Sequence, residues 1–267
     1  MSENNTKILG DATIGAGKYN NIKIMGDGTV MGDIECIDVV IMGDGEFNGA
    51  VTARDIKVMG DSIFKGTIKA RKFKIYGDAT LKEKGTIDIL SLKGDFKSES
   101  QLEAKDEARI MGDAEIKEDF RGNYIEILGE MKASKNIYFD TLKVLGSAEV
   151  KGNCEGNYFY NKGEVEICGL LSADKIEVFP KGESNIEEIG GSEIIIRKSG
   201  YIDFFNGKVI SKLIEGDNII LENTICNIVR GHDITILSGC SIDKIEYTGK
   251  LTIDKKSKVG EQICLRN

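Results

Sequence analysis

Residues 59–78, MGDSIFKGTIKARKFKIYGD, contain two Gly-Asp pairs, at Gly60 and Gly77, that mark one repeat of the chain. The same interval continues in both directions, with glycine recurring at Gly26, Gly43, Gly60, Gly77, Gly94, Gly112, Gly129, Gly146 and Gly163. The interval before Gly112 is longer by a single inserted residue, and Gly10-Asp11 marks an earlier interval that is shorter by one. A fixed period of about 17 residues predicts a solenoid, in which each repeat buries its apolar face against its neighbours.

Within each repeat, residues alternate as in a strand with one buried face. Before Gly77, Phe73 and Ile75 are apolar and Lys74 between them is polar, and other repeats keep this order. Phe64 and Ile68 belong to two further inward columns, and Ala70 belongs to a column of small residues. Each repeat is divided into three strands, which are separated at the Gly-Asp pair, at a second glycine and after the column of small residues. The predicted fold class is all-β: a single-stranded parallel β-helix (β-solenoid) with about 17 residues and three short strands per coil.

Composition agrees with this fold. The chain has 32 glycines among 267 residues and only one proline. Glycine fits corners where φ is positive or the chain turns sharply, and proline would remove an N–H from the ladder. We expect residues 1–19 to form a first coil or cap, 20–190 a regular β-helix, and 191–267 irregular further coils or a C-terminal cap.

Charge and cysteine content restrict the environment and the partners. The net charge of −8 offers no general attraction to nucleic acid. No apolar run is long enough for a transmembrane helix, and the N-terminus lacks the apolar segment of a secretory signal. The six cysteines form no CxxC pair or zinc-like spacing. We therefore expect reduced thiols, a cytoplasmic location, and neither a metal nor another cofactor.

Residues 64–77, FKGTIKARKFKIYG, resemble the repeat of the bactofilins, the bacterial polymer-forming cytoskeletal proteins, whose pattern is roughly V-x-G-x-I-x-A-x-x-V-x-I-x-G. The resemblance covers about residues 20–180 and is closest over 28–80. It implies a right-handed β-helix that assembles end to end into filaments without nucleotide and acts as a scaffold for cell-envelope proteins. The chain departs from the family in its length, in its poorly repeating stretch 191–267, and in lacking the short apolar N-terminal segment that some members use at membranes.

The column before the corner glycine is the first candidate site. Its apolar members form what we call the Met/Tyr stripe: Met25, Met42, Met59, Tyr76 and Met111. Since this position alternates with an inward residue, the stripe should face outward and could bind a partner or a second copy. The alternative is methionine folded over the corner, without a binding role.

The aspartates after the corner glycine are the second candidate, Asp27, Asp44, Asp61, Asp78, Asp95 and Asp113. A calcium ladder would need about six to eight oxygens per ion, so we expect these side chains to accept hydrogen bonds from turn amides instead. His232 stands alone outside the regular run and weakly favours a catalytic base. Cys36 and Cys154 occupy inward columns, whereas Cys168 occupies a polar one and should be exposed.

The leading functional hypothesis is a non-enzymatic scaffold that self-associates through its open ends, as a bactofilin would, and recruits partner proteins. One alternative is a β-helix enzyme acting on sugars, of the acyltransferase or polysaccharide lyase type. Another is a monomeric protein-binding module that uses the Met/Tyr stripe.

Overall fold

The computed structural model describes residues 4–198 and 207–265. It divides into two compact units, Met1–Lys135 (unit 1) and Asn136–Asn267 (unit 2). Across the described ranges the regular secondary structure is entirely β, and the strands of each unit pair in parallel. The predicted all-β parallel β-solenoid is confirmed.

Unit 1 consists of short strands alternating with longer ones. They are β1 (Asn5–Ile8), β2 (Ala12–Ile14), β3 (Gly17–Ile24), β4 (Gly28–Val30), β5 (Ile34–Ile41), β6 (Gly45–Phe47), β7 (Val51–Val58), β8 (Asp61–Phe64), β9 (Ile68–Ile75), β10 (Asp78–Leu81), β11 (Gly85–Leu92), β12 (Phe96–Ser98), β13 (Leu102–Ile110), β14 (Asp113–Ile116), β15 (Phe120–Ile127) and β16 (Glu130–Ala133). From β2 onward, each short strand pairs with the short strands of the adjacent coils and each long strand with the long ones, while the four-residue β1 pairs with the long β3. Like residues therefore stack on like residues.

Unit 2 follows the same plan with longer strands in its middle. They are β17 (Ile137–Val144), β18 (Ser147–Val150), β19 (Cys154–Asn161), β20 (Glu164–Val178), β21 (Glu183–Ile196), β22 (Lys208–Leu221), β23 (Thr224–Ile236), β24 (Ser241–Tyr247), β25 (Leu251–Ile253) and β26 (Lys258–Cys264). The coil length varies here, since the aligned inward partners are Phe159↔Ile176, Val178↔Ile196, Ile196↔Leu221 and Leu221↔Ile236. Parallel pairing thus continues where the sequence repeat becomes irregular.

The pairing register locates the residue inserted before Gly112. Between β11 and β13, Ile87 pairs with Ala104 and Ile89 pairs with Glu107, so β13 holds one residue more than β11 between these two pairings. The extra residue is accommodated as a bulge on the outer surface at Lys105 and Asp106, both exposed. The inward columns on either side keep their alignment.

The expected three short strands per coil are replaced in unit 1 by one short and one long strand. In β7, Ala53 is buried, Arg54 and Asp55 both face outward, and Ile56 is buried again. The chain turns at this pair of outward residues without losing its pairing to β5 and β9. The third corner therefore lies inside a strand.

The corner glycines are required for a different reason from the one expected. In the described ranges, positive φ occurs only at Gly17, Gly239 and Asn223, none of them in the column of corner glycines. A Cβ added at Gly77 would instead lie less than 3.0 Å from the carbonyl oxygen of Gly60 in the adjacent coil. Glycine is needed there because successive coils approach too closely for a methyl group.

The core of unit 1 is a column of large apolar side chains whose sizes compensate between positions. In the short strand of most coils the first inward residue is small and the second is large, as with Ser62 and Phe64. Strand β12 reverses this order, with Phe96 first and Ser98 second, and all four side chains are buried. The rings of Phe64 and Phe73 pack edge to face at 5.6 Å, and Phe73 contacts Phe96 in the same way at 6.5 Å. Each fully buried phenylalanine contributes about 1.5–3 kcal/mol, so this column is a main source of stability.

Candidate interaction surface

The Met/Tyr stripe is held in place by backbone hydrogen bonds at one corner of unit 1. The Met42 N–H donates to the Ile24 carbonyl at 2.8 Å, and the Met59 N–H donates to the Ile41 carbonyl at 2.7 Å. The Tyr76 N–H makes the equivalent bond at 2.9 Å. Since each residue follows an inward isoleucine or valine, its own side chain is directed to solvent. The stripe therefore has a fixed spacing of one residue per coil, about 4.8 Å.

The outward orientation predicted for this column is confirmed. The exposed fractions are 40% for Met25, 42% for Met42, 44% for Met59, 43% for Tyr76 and 37% for Met111. Such a row of exposed large apolar side chains in successive coils differs from isolated surface hydrophobics, which need no explanation.

Two further exposed residues extend the stripe: Leu128, which belongs to the same sequence column, and Leu9, which was not predicted. Leu9, 67% exposed, extends it by one coil before Met25, and Leu128, 43% exposed, extends it after Met111. Leu9 was missed because the first interval is one residue shorter than the others, although the Gly10-Asp11 pair next to it carried the signal.

The one charged position between Tyr76 and Met111 is Lys93, and its side chain covers its apolar neighbour. The Lys93 ammonium lies 5.3 Å from the centre of the Tyr76 ring, and the Lys57 ammonium lies 5.2 Å from it. Both contacts are cation–π interactions, worth about 0.5–1 kcal/mol at exposed sites. The tyrosine face is thus occupied, while the methionines of the stripe carry no such cover.

Charged residues form two rows, one on each side of the stripe. The lysine row lies two positions before the stripe residues from Leu9 to Tyr76 and consists of Lys7, Lys23, Lys57 and Lys74, with Val40 between the second and third. The aspartate row, two positions after the same column, consists of Asp11, Asp27, Asp44, Asp61, Asp78, Asp95 and Asp113. Within the described ranges none of these lysines and aspartates forms an ion pair, whereas Arg109, two positions before Met111, pairs with Glu126 at 2.9 Å. Each row is therefore weakly self-repelling along the solenoid.

Several other outward residues of unit 1 form ion pairs between coils. Lys18 binds Glu35 at 2.7 Å, and Lys82 binds Glu99 at 2.7 Å. Arg54 binds Asp38 at 2.8 Å. These exposed pairs contribute little individually, but they show how the surface elsewhere compensates its charges. The two rows beside the stripe are left uncompensated.

The aspartate row does not behave as the sequence suggested. We expected its carboxylates to accept hydrogen bonds from turn amides, but in the described part of the chain they make no side-chain hydrogen bond. The turn is held by the backbone instead, with the Asp78 N–H donating to the Gly60 carbonyl at 3.1 Å. No group of three or more His, Cys, Asp or Glu residues suited to a metal occurs among the described residues.

In unit 2, His232 lies within the paired strand β23, beyond the regular run of the repeat. Its Nδ1 lies 2.8 Å from the Thr248 hydroxyl. The neighbouring Arg230 is already ion-paired, at 2.8 Å with Glu246 and 3.0 Å with Glu215. These contacts place the histidine in a polar surface network between coils. The only sequence signal for a catalytic base was that His232 is the single histidine of the chain.

The cysteines lie where the inward and outward columns placed them. All six are free, with Cys36 and Cys154 buried and Cys168 exposed. Burial, together with the nearby Asp38 and Glu35 carboxylates, raises the pKa of the Cys36 thiol to about 12. Burial also raises the pKa of Cys154 well above its ordinary value. A raised pKa suppresses the reactive thiolate, so these two residues act as core side chains.

A parallel β-solenoid with this corner repeat defines the class of protein. Residues 3–95 match the family model "Bactofilin: Polymer-forming cytoskeletal". The predicted resemblance to the bactofilin family is therefore confirmed for the first third of the chain, over a shorter stretch than the repeat suggested. No helix among the described residues is long and apolar enough to cross a membrane.

Two curated relatives from Bacillus subtilis (strain 168) match the chain. The uncharacterized protein YhbF is 38% identical over 99 residues, which cover 36% of this chain and 42% of the relative. The uncharacterized protein YhbE is 34% identical over 100 residues, covering 35% and 42%. The aligned part thus spans less than half of each relative. No solved structure matches the chain.

Proposed function

We propose that this protein is a non-enzymatic structural scaffold that self-associates end to end into a polymer and recruits partner proteins. The observation that carries the proposal is the match of residues 3–95 to a polymer-forming cytoskeletal family, on a chain folded as a parallel β-solenoid. Family and fold support the scaffold role, and self-association is the part that requires an experiment.

The uncovered edge of β25 in unit 2 supplies a physical basis for end-to-end contact. Leu251 and Ile253 of β25 stack on Ile234 and Ile236 of β23, which are 1% and 0% exposed. Leu251 and Ile253 themselves are only partly buried. Among the described residues, β25 pairs on one side alone, so its other edge presents backbone N–H and C=O groups with an apolar surface beside them. Such an edge is a template for another strand.

Catalysis has less support than assembly. His232 is hydrogen-bonded to Thr248, and the cation beside it is paired with two glutamates. We infer that the protein works by presenting surfaces, in the cytoplasm and next to cell-envelope proteins. A fluorescent fusion that forms discrete envelope-associated structures would support this placement, and uniform diffusion at native expression would contradict it.

The test of assembly is negative-stain microscopy combined with sedimentation velocity, over a range of salt and protein concentration. We expect filaments for the wild type. Ile253→Asp should prevent them by placing a charge on the inward side of the terminal coil, whereas Thr252→Asp, exposed on the same strand, should leave them intact. A wild-type protein that remains a monomer at high concentration would reject the proposal.

A further inference from the structure

We infer that the Met/Tyr stripe is a lateral interface between two copies of this chain, in which the unit 1 solenoids lie side by side and point in the same direction. This contact rests in part on the proposed scaffold function, to which it adds a sideways association. Its components are the exposed apolar row and the two uncompensated charged rows that flank it.

The order of the rows across the surface makes it complementary to itself. The lysine row lies on one side of the stripe and the aspartate row on the other. A pair of copies related by a two-fold axis uses the same patch on both partners. If that axis is parallel to the solenoid axis, each lysine row faces the aspartate row of the partner. Both rows then gain the ion pairs that the single chain does not provide.

The alternative arrangement is electrostatically unfavourable. A two-fold axis perpendicular to the solenoid axis would set lysine row against lysine row and aspartate row against aspartate row. Like charges opposed across an interface oppose association. The two flanking rows therefore select the parallel arrangement, in which every residue of the column faces the same residue of the second copy, and Lys93 is a position of this column at which like charges meet.

The second copy fits this surface because both signs of charge lie on it. A partner with a uniformly acidic or basic face would satisfy one row and be repelled by the other. The repeat spacing is also identical in the two copies, so contacts made in one coil recur in the next. Methionine side chains are flexible enough to interdigitate across such a seam.

The experiment is a single-cysteine cross-linking scan. In a Cys168→Ser, Cys264→Ser background, which removes the exposed native thiols, Met25→Cys and Met111→Cys are treated separately with a short bis-maleimide. The positions are five strand pairings apart, β3 to β13, or about 24 Å at about 4.8 Å per coil. The parallel arrangement predicts efficient dimer formation at both positions, whereas no antiparallel arrangement brings both near their own copies.

Ile63→Cys and Met31→Cys are the matched controls. Both residues are exposed apolar side chains of unit 1, 41% and 60% exposed, outside the stripe. They should give little dimer. Circular dichroism of each variant verifies that it is folded.

Charge reversal provides the second measurement. Lys23→Glu, Lys57→Glu and Lys74→Glu together make both rows acidic and should lower dimer yield at Met25→Cys by roughly tenfold or more, because ion pairs are replaced by repulsion. Mixing this variant with a second one that carries Asp27→Lys, Asp61→Lys and Asp78→Lys should restore the dimer yield, because the acidic rows of the first then face the basic rows of the second.

The outcomes separate this inference from the proposed function. Cross-linking at both stripe positions with rescue by the mixed variants supports the parallel interface. Dimer at one position only, equal dimer at the control positions, or cross-links solely to another protein would overturn it. Filaments without stripe cross-links would overturn the lateral contact while leaving the scaffold, and stripe dimers without filaments would do the opposite.

Discussion

Replacing Gly77 by alanine tests the conclusion that close stacking of coils requires the glycine column. The added Cβ would lie less than 3.0 Å from the Gly60 carbonyl oxygen. That same oxygen accepts the Asp78 N–H at 3.1 Å. The methyl group therefore displaces an acceptor in the ladder, and backbone atoms can move only by separating two coils.

The magnitude follows from three terms. Forcing an extra methyl group into a packed site costs about 1–3 kcal/mol, and weakening one hydrogen bond costs about 0.5–1.5 kcal/mol. Alanine also restricts the unfolded chain more than glycine does, which stabilises the folded state by about 0.4–1 kcal/mol. The net loss for Gly77→Ala is about 0.5–4 kcal/mol, which lowers the melting midpoint by about 1–16 °C for a chain of this size.

The assay is thermal unfolding followed by far-ultraviolet circular dichroism, with Gly15→Ala as the matched control. A Cβ at Gly15 meets no atom within 4 Å, so only the entropic term applies and the midpoint should rise slightly. If Gly77→Ala were as stable as Gly15→Ala, the close-approach explanation would be refuted.

Two further predictions concern the core and the thiols. Phe64→Ala should lower the free energy of unfolding in urea by about 3–5 kcal/mol, because it empties the centre of the aromatic column. Ile63→Ala, at the exposed neighbouring position, should change it by no more than about 0.5 kcal/mol, and similar losses at both would contradict the inward assignment. In the native protein Cys168 and Cys264 should react rapidly with Ellman's reagent. Cys36 should react only on unfolding, since its raised pKa leaves it protonated at neutral and mildly alkaline pH, and fast native labelling of Cys36 would disprove its burial.

Local periodicity accounts for what the sequence predicted correctly. The interval between corner glycines defines a coil, and period-2 alternation separates inward residues such as Phe73 from outward ones such as Lys74. The outward position of Met59 follows from the same alternation. The insertion before Gly112 was also visible, because one added residue shifts the glycine column without changing the columns that follow it.

Features that depend on contacts between coils could not be read from one repeat. Whether the bend at Arg54 and Asp55 interrupts the strand depends on pairing with both neighbouring coils. The reversal at Phe96 and Ser98 is tolerated because their combined volume fills the same core layer. His232 lies in a coil whose strand β23 pairs in parallel with β22 and β24, although the length of the repeat varies in this part of the sequence.

By itself, the sequence of this protein determined the period, the solenoid and the columns, since these depend on residue type and spacing alone. Only the tertiary structure decided why the columns hold those residues. The distance between coils makes Gly77 obligatory where backbone angle does not. Side-chain reach decides which charges find partners, and it leaves the rows beside the Met/Tyr stripe unpaired among the described residues. A linear repeat specifies which residues stack, but the ion pairs and clashes between them exist only once the coils are in contact.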